Sequence, residues 1–244
     1  MSLSIGAGWN IGSGWAITTS STLAVYNFEG TGYTSSTGTL GQLSLSGTVT
    51  TSTAQAKSGT QSAVYGTSTS DTYWITFPQT LTTYAYNGGF TIEGFIYPTA
   101  TPATYATWVG VSDSANDYIM ATSYKGSGEL IVDSRSSSGG GQGVSMTLNT
   151  WNHVFIAWYN GYCYYGLNGN YYYAPSGGPY YRDLALFPNI NLATVGLVPY
   201  GGGYGGSWST TYVDQMRASS ACLYVANPTG GGNGTYTVPT TPLT

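Results

Sequence analysis

The chain is short of charge. Only 14 of its 244 residues are charged, five Lys or Arg and nine Asp or Glu, and the net charge is -4. An ordinary soluble domain carries about 25% charged residues; this one carries 6%. The cations Lys57, Lys125, Arg135, Arg182 and Arg217 stand singly. They cannot form the clustered basic footprint on which nucleic-acid binding rests, so no nucleic-acid partner is expected. Histidine occurs once, at His153, and cysteine twice, at Cys163 and Cys222. Two cysteines cannot build a disulfide scaffold, and a single His without a C-x-x-C pair excludes a structural zinc site. The two thiols read as free and buried, with one bridge between them as the alternative. No run of 18 apolar residues occurs, so no membrane-spanning helix is expected. The opening ten residues, MSLSIGAGWN, lack the basic and apolar regions of a secretory signal, and export by that route is not expected. Ala, Leu, Glu and Lys are too sparse for a helical bundle.

Small and aromatic residues take the place of charge. Gly (36), Ser (28) and Thr (36) make up 100 positions, and there are 24 Tyr and 7 Trp. A hydrophobic content of 41%, much of it large rings, fills a core and argues against disorder. A surface of hydroxyls, amides and rings with little charge favours association, which suits a protein packed in an assembly.

The first 17 residues repeat: Ile5-Gly-Ala-Gly-Trp9-Asn, then Ile11-Gly-Ser-Gly-Trp15-Ala, then Ile17. Ile5, Trp9, Ile11, Trp15 and Ile17 are all odd and share one face of an extended chain. Gly6, Gly8, Gly12 and Gly14 leave the other face bare, which lets another backbone approach closely. Two readings stand side by side: residues 1–20 as an arm docking on a neighbouring subunit, or a first strand packing on its own domain.

From Leu23 onward the pattern is one of short strands. Leu23–Phe28, Ser62–Tyr65, Tyr73–Phe77, Phe90–Tyr97, Thr107–Val111, Tyr118–Ser123, Leu130–Asp133, Trp151–Tyr159, Tyr162–Leu167, Leu192–Val198 and Tyr212–Arg217 are strand candidates, and no amphipathic helix is predicted. Asn160-Gly161 and Asn168-Gly169 predict tight hairpin turns. In Trp151–Trp158 apolar side chains occupy both parities, as in a strand buried on both faces. Asp214 and Arg217 fall on opposite faces of a straight strand, so spacing alone does not pair them. Strands every 8–15 residues predict an all-β, antiparallel β-sandwich.

Four motifs carry a resemblance. Phe90-Thr-Ile-Glu-Gly-Phe-Ile-Tyr-Pro98, Trp151-Asn-His-Val154 followed by Tyr162-Cys-Tyr-Tyr-Gly-Leu-Asn-Gly169, Tyr212-Val-Asp-Gln-Met-Arg217 and Tyr236-Thr-Val-Pro-Thr-Thr-Pro242 occur in that order. Over residues 21–244 the chain resembles laminin-G-like, concanavalin A-like jelly-roll domains. With Ser52-Thr-Ala-Gln-Ala-Lys-Ser-Gly59, it is similar to those of marine phage virion proteins. The ending departs from that pattern: Ala218–Gly234 is inserted and no Phe precedes the last Pro. The resemblance implies a non-enzymatic virion component, decorating a capsid or forming part of a tail or fibre, assembled in the host cytoplasm and exposed outside it. Its partners would be other virion subunits, with a homo-oligomer expected. Alternatives are a free carbohydrate-binding or adhesion module and, third, a degenerate glycosidase.

Catalytic chemistry finds little support. Glycosidases on this sandwich need two carboxylates flanking the scissile bond, usually set as Glu-x-Asp-x-x-Glu. Glu93 is the only acid between Asp71 and Asp113, and reads as an outward polar position or a buried hydrogen-bonding group. His153 alternates with Trp151 and Phe155, and no Gly-x-Ser-x-Gly elbow accompanies it. Asp113, Asn116 and Asp117 form the densest oxygen cluster. Calcium is the cofactor such ligands admit, against an ordinary turn; otherwise no cofactor is expected. The richer signal is aromatic: twelve Tyr lie from Trp151 to Tyr212. Tyr171, Tyr172, Tyr173, Tyr180, Tyr181, Tyr200 and Tyr204, with Trp208, are candidates for contact with a neutral glycan, with a neighbouring subunit, or with this domain's own core.

Overall fold

In a computed structural model, the described residues are 22–30, 37–38, 40–47, 49–65, 72–101, 106–115, 117–123, 129–134, 141–174, 184–196, 210–229 and 231–243. The strands of the first half are β1 (Thr22–Tyr26), β2 (Thr37–Gly38), β3 (Ser44–Ser46), β4 (Thr50–Ser52), β5 (Ser62–Tyr65), β6 (Thr72–Thr76), β7 (Phe90–Pro98), β8 (Ala106–Ser112) and β9 (Tyr118–Ser123). Those of the second half are β10 (Glu129–Ser134), β11 (Gly141–Ser145), β12 (Asn152–Tyr159), β13 (Tyr162–Leu167), β14 (Asn170–Ala174), β15 (Leu192–Val195), β16 (Thr211–Ser219) and β17 (Gly234–Thr235). Ten strands form one sheet in the order β17-β14-β13-β12-β7-β16-β1-β2, with β5 beside β16 and β4 beside β5. Seven form the other, β11-β10-β9-β8-β15-β6-β3. Each ladder is antiparallel, and the strands predicted from the sequence are present within a few residues of their expected ends.

Period-2 alternation explains how the sheets meet. On β7, Phe90, Ile92 and Ile96 enter the core between the sheets; on β12 it is Val154, Ile156 and Trp158; on β13, Cys163, Tyr165 and Leu167. They meet Trp108, Val109, Val111, Ile119, Ala193 and Val195 of the seven-stranded sheet. Each fully buried large side chain contributes about 1.5–3 kcal/mol. The Tyr65 hydroxyl donates to the Val195 carbonyl at 3.2 Å, tying sheet to sheet. The alternate residues of the same strands, such as Phe95 and Phe155, are buried too, on the other side. The ten-stranded sheet is thus covered on both faces, as the mixed parity of Trp151–Trp158 predicted.

Both Asn-Gly turns are type I′ hairpins by their positive φ: 46° and 82° at Asn160 and Gly161, 47° and 93° at Asn168 and Gly169. Two expectations are corrected. A six-residue helix, α1 (Leu81–Tyr86), and a single 3-10 turn at Leu184–Leu186 are present. They close one end of the core, where Leu81 and Leu184 are fully buried and the Thr82 hydroxyl donates to the Leu184 carbonyl at 3.0 Å. One and a half turns are too short to print a 3.6-residue period. Asp214 and Arg217 also share a face. The register shifts between them, with Gln215 at φ 56°, so an extra residue restores the parity that a spacing of three breaks.

Cys163 lies in the core between the sheets and Cys222 packs on the outer face, both free. They are separated by the sheet itself. Gly89, at φ 99°, marks where the segment after β16 crosses the chain. A Cβ there would stand 2.4 Å from the Cys222 backbone nitrogen and 3.0 Å from the Trp158 carbonyl. Gly89→Ala is therefore expected to cost about 1–3 kcal/mol, the range of overpacked sites, read as a lower urea midpoint with unchanged slope.

Candidate functional site

The outer face of the ten-stranded sheet holds the polar and aromatic groups that the core cannot take. Register across β12, β7 and β16 sets them in rows. Ala157, Thr91 and Ser219 form the first, Phe155, Glu93 and Arg217 the second, and His153, Phe95 and Asp214 the third. Tyr97 and Tyr212 pair in a fourth row, with Trp151 against Tyr97. The segment from 220 to 243 crosses this face as a strap. Cys222, Tyr224, Val225 and Tyr236 pack on Phe155, Ala157, Tyr164 and Tyr171, and Val238 and Leu243 pack on Val25 and Phe95. Hydrogen bonds pin it at intervals. Thr91 donates to Ala221 O and accepts from Leu223 N–H, Tyr164 donates to Pro228 O, and Leu243 N–H donates to the Gln215 side chain.

Beneath the strap lies a closed polar cluster. Glu93 and His153 are 0% and 1% exposed. Glu93 Oε1 accepts from Arg217 Nε at 2.8 Å and Nη2 at 2.7 Å. Its Oε2 accepts from His153 Nε2 at 2.9 Å and the Tyr224 hydroxyl at 2.5 Å. Tyr224 in turn accepts from Arg217 Nη2 at 2.9 Å, and the second imidazole nitrogen, Nδ1, is 2.8 Å from the Tyr236 hydroxyl. Because the carboxylate can only accept, this network places a proton on Nε2. Burial alone would raise the Glu93 carboxyl; the His153 hydrogen bond and the Arg217 charge outweigh it and hold the group below the usual range. Both oxygens are taken by protein donors, so the carboxylate works as a tie between strands. Burial, with Glu93 adjacent, also pushes the Tyr224 hydroxyl far up.

Two more carboxylates fix the loop from Ser52 to Gln61. Asp214 Oδ2 accepts the backbone N–H of Lys57 at 2.8 Å and of Ser58 at 3.0 Å. Glu29 Oε1 accepts from Thr60 and Gln61 N–H, and Oε2 from the Thr60 hydroxyl. Lys57 is thereby brought over the Phe95 ring, with Nζ 4.9 Å from its centroid. Lys57, Ser58, Gln215, Thr240, Thr241 and Pro242 line a cleft of about 80 Å³. Asp214 is fully buried, and desolvation pushes its carboxyl up to about 6 against the backbone donors.

The predicted contact residues are only partly in view. Tyr171, Tyr172 and Tyr173 lie on β14 rather than in a loop. Tyr171 and Tyr173 pack on Tyr164 of the outer face, and Tyr172 on Tyr165 of the inner. Tyr171 is buried and the other two half-buried. Tyr180, Tyr181, Tyr200, Tyr204, Trp208, Asn116 and the arm residues Ile5, Trp9, Ile11, Trp15 and Ile17 lie outside the described residues. Asp113 Oδ1 accepts N–H from Ala115 and Asp117 and closes a turn. Among the described residues no three His, Cys, Asp or Glu side chains gather for a metal. The row of Trp151, Tyr97 and Tyr212 went unread in the sequence, because its members sit in three separate motifs and meet only through register.

Removing Arg217 leaves a buried carboxylate short of its cation. Arg217→Ala is expected to destabilise by about 3–5 kcal/mol, and Arg217→Lys by less, though it loses the fork geometry; chemical unfolding reads both. The pH dependence has two opposed arms. Asp214 has a raised folded pKa, so its contribution is present in acid and is lost as pH rises through about 6; at 1.36 kcal/mol per unit it amounts to roughly 3 kcal/mol at most. Glu93 is lowered, so its contribution is present above the ordinary carboxyl value and is lost as pH falls below it. Melting temperature should therefore peak near about pH 4, between the two ordinary carboxyl values, and decline from there to about 6; Asp214→Asn should flatten that decline.

No family model matches the sequence, and no curated protein matches it significantly. Solved structures do match in fold. Domain 4 of AbnA, a GH43 extracellular arabinanase from Geobacillus stearothermophilus solved with arabinotriose, aligns with a TM-score of 0.58 at 16% identity, over 84% of this chain and 94% of that one. Trypanosoma rangeli sialidase in complex with 2,3-difluorosialic acid aligns at 0.56 and 13%, over 83% of this chain and 31% of the sialidase. The binding domain of Paraclostridial Mosquitocidal Protein 1 aligns at 0.55 and 14%, over 83% and 49%. The chain thus spans about a third of the sialidase and half of the mosquitocidal-protein chain. At these identities the likeness is one of fold: a jelly-roll, concanavalin-like β-sandwich.

Proposed function

We propose that the chain is a non-catalytic recognition domain, a carbohydrate-binding β-sandwich carried on a virion as capsid decoration or as part of a tail or fibre. The observation that carries the reading is how the chain uses its scarce reactive groups. Its one histidine and the carboxylate beside it are sealed under the strap, with their hydrogen-bonding atoms taken by protein partners. Side-chain contact is what remains at the surface. A fold shared with a domain solved on an arabinose oligomer supports the carbohydrate reading. The ordered motifs, the low charge and the Gly/Trp repeat of residues 5–17 support the virion setting, with other copies or other virion subunits as partners. A free carbohydrate-binding or adhesion module is the alternative.

An array of neutral glycans probed with the whole chain should show selective binding; a flat array overturns the carbohydrate reading. Deleting residues 1–20 should abolish incorporation into particles and leave the melting transition of the sandwich in place. Unchanged incorporation overturns the docking arm. Chromogenic glycosides should be left intact by the wild-type chain, and turnover that disappears in Glu93→Gln would restore an enzyme.

A further inference from the structure

Three of the four rows on the outer face of the ten-stranded sheet run beneath the strap; the fourth lies at its edge, where Trp151 packs on the cluster of Val25, Phe95 and Leu243. Thr91, Glu93 and Phe95, the β7 members of the covered rows, are at most 2% exposed. Trp151, Tyr97 and Tyr212 are each half-buried. They stand side by side, Tyr97 on β7, Tyr212 on β16 and Trp151 at the entry to β12. The Tyr97 ring centroid is 5.5 Å from that of Trp151, with the planes at 64°, and 5.9 Å from that of Tyr212, with the planes at 81°. These are edge-to-face contacts, so the set is stepped rather than flat, and it offers separate ring faces to successive units of a ligand. The two tyrosine hydroxyls and the Trp151 indole N–H make no hydrogen bond among the described residues. Each brings an apolar ring and an unspent polar group to the same place.

The border of the row sets the class of ligand. One same-face step along β7 and β16, about 7 Å, leads to Phe95 and Asp214, over which the Lys57–Ser58 loop closes. Ser58, Gln215, Thr240 and Thr241 there present hydroxyl and amide groups around the cleft of about 80 Å³. That volume takes water or one substituent and is too small for a sugar ring. The charges nearby are committed: Lys57 to the Phe95 face, Asp214 to backbone N–H groups, and Arg217 to Glu93. Among the described residues no guanidinium fork is free here to take a carboxylate. The complementary ligand is therefore uncharged, has apolar ring faces and carries hydroxyls at its edges.

We propose that Trp151, Tyr97 and Tyr212, with the polar cleft at their border, form a site for a neutral saccharide; this names the site for the carbohydrate reading above and rests on it. Sugar rings stack on the aromatic faces, and the hydroxyls of Tyr97, Tyr212, Ser58, Thr240 and Thr241 meet those of the ligand.

The test is calorimetric titration of the whole chain with arabinotriose, cellotriose and mannotriose as neutral probes and sialyllactose as the acidic one. At least one neutral probe should bind, and sialyllactose should not. Tyr212→Ser and Trp151→Leu should each weaken that binding about tenfold, the order of one lost aromatic contact. Trp151→Leu keeps an apolar side chain against the cluster of Val25, Phe95 and Leu243, so a melting temperature near that of the wild type shows that the fold is intact. Should Tyr212→Ser unfold, Tyr212→Phe still reads the hydroxyl, with a smaller loss expected. Neutral binding that persists in folded Trp151→Leu and Tyr212→Ser, or that is lost only on removing residues 175–181, overturns this site and leaves the carbohydrate reading standing. Preferential binding of sialyllactose overturns the neutral specificity. Failure of every glycan to bind the wild-type chain overturns both.

Discussion

The outer half of the sandwich depends on one buried carboxylate. Glu93 sits at the centre of the ten-stranded sheet and accepts from four donors on three other segments: His153 of β12, Arg217 of β16 and Tyr224 of the strap. A carboxylate in that position is costly unless its lone pairs are met, so its partners must be in place when the face closes. The bulge at Gln215 is part of that solution, because only the extra residue brings Arg217 level with Glu93. The strap is another part: Tyr224 lies within the insertion by which the C-terminal motif departs from the laminin-G-like pattern, and Tyr236 of that motif meets the histidine.

This arrangement gives the few charges their meaning. In a chain with nine carboxylates, Glu93, Asp214, Glu29 and Asp113 each accept hydrogen bonds that organise the fold. Carboxylates are used here as staples for loops and strands. The half-buried row of Trp151, Tyr97 and Tyr212 stands at the edge of the strap. The contrast between the rows of one face separates a second core from a half-buried aromatic edge.

Much of the fold was legible because sheet burial writes itself in period 2. The double parity of Trp151–Trp158 foretold burial on both faces, and Asn160-Gly161 and Asn168-Gly169 foretold their hairpins. The helix Leu81–Tyr86 was not legible, since six residues show no helical period and its support comes from Leu184, about a hundred positions away. The site was less legible than the fold. Tyr171–Tyr173 draw the eye as a run, yet alternation sends neighbours to opposite faces, and Tyr171 is spent on packing against Tyr164.

The sequence by itself determined the class of structure and the range of chemistry. Scarce charge, a single histidine, abundant glycine and tyrosine, and alternating strands point to an antiparallel sandwich with few reactive side chains, because side-chain type and periodicity are local properties. Only the tertiary structure decided which groups are spent and which are open. Glu93, His153 and Arg217 are 60 or more positions apart in succession, and Trp151, Tyr97 and Tyr212 come from three separate segments. Cross-strand register and the path of the strap bring the first set under cover and leave the second at the surface.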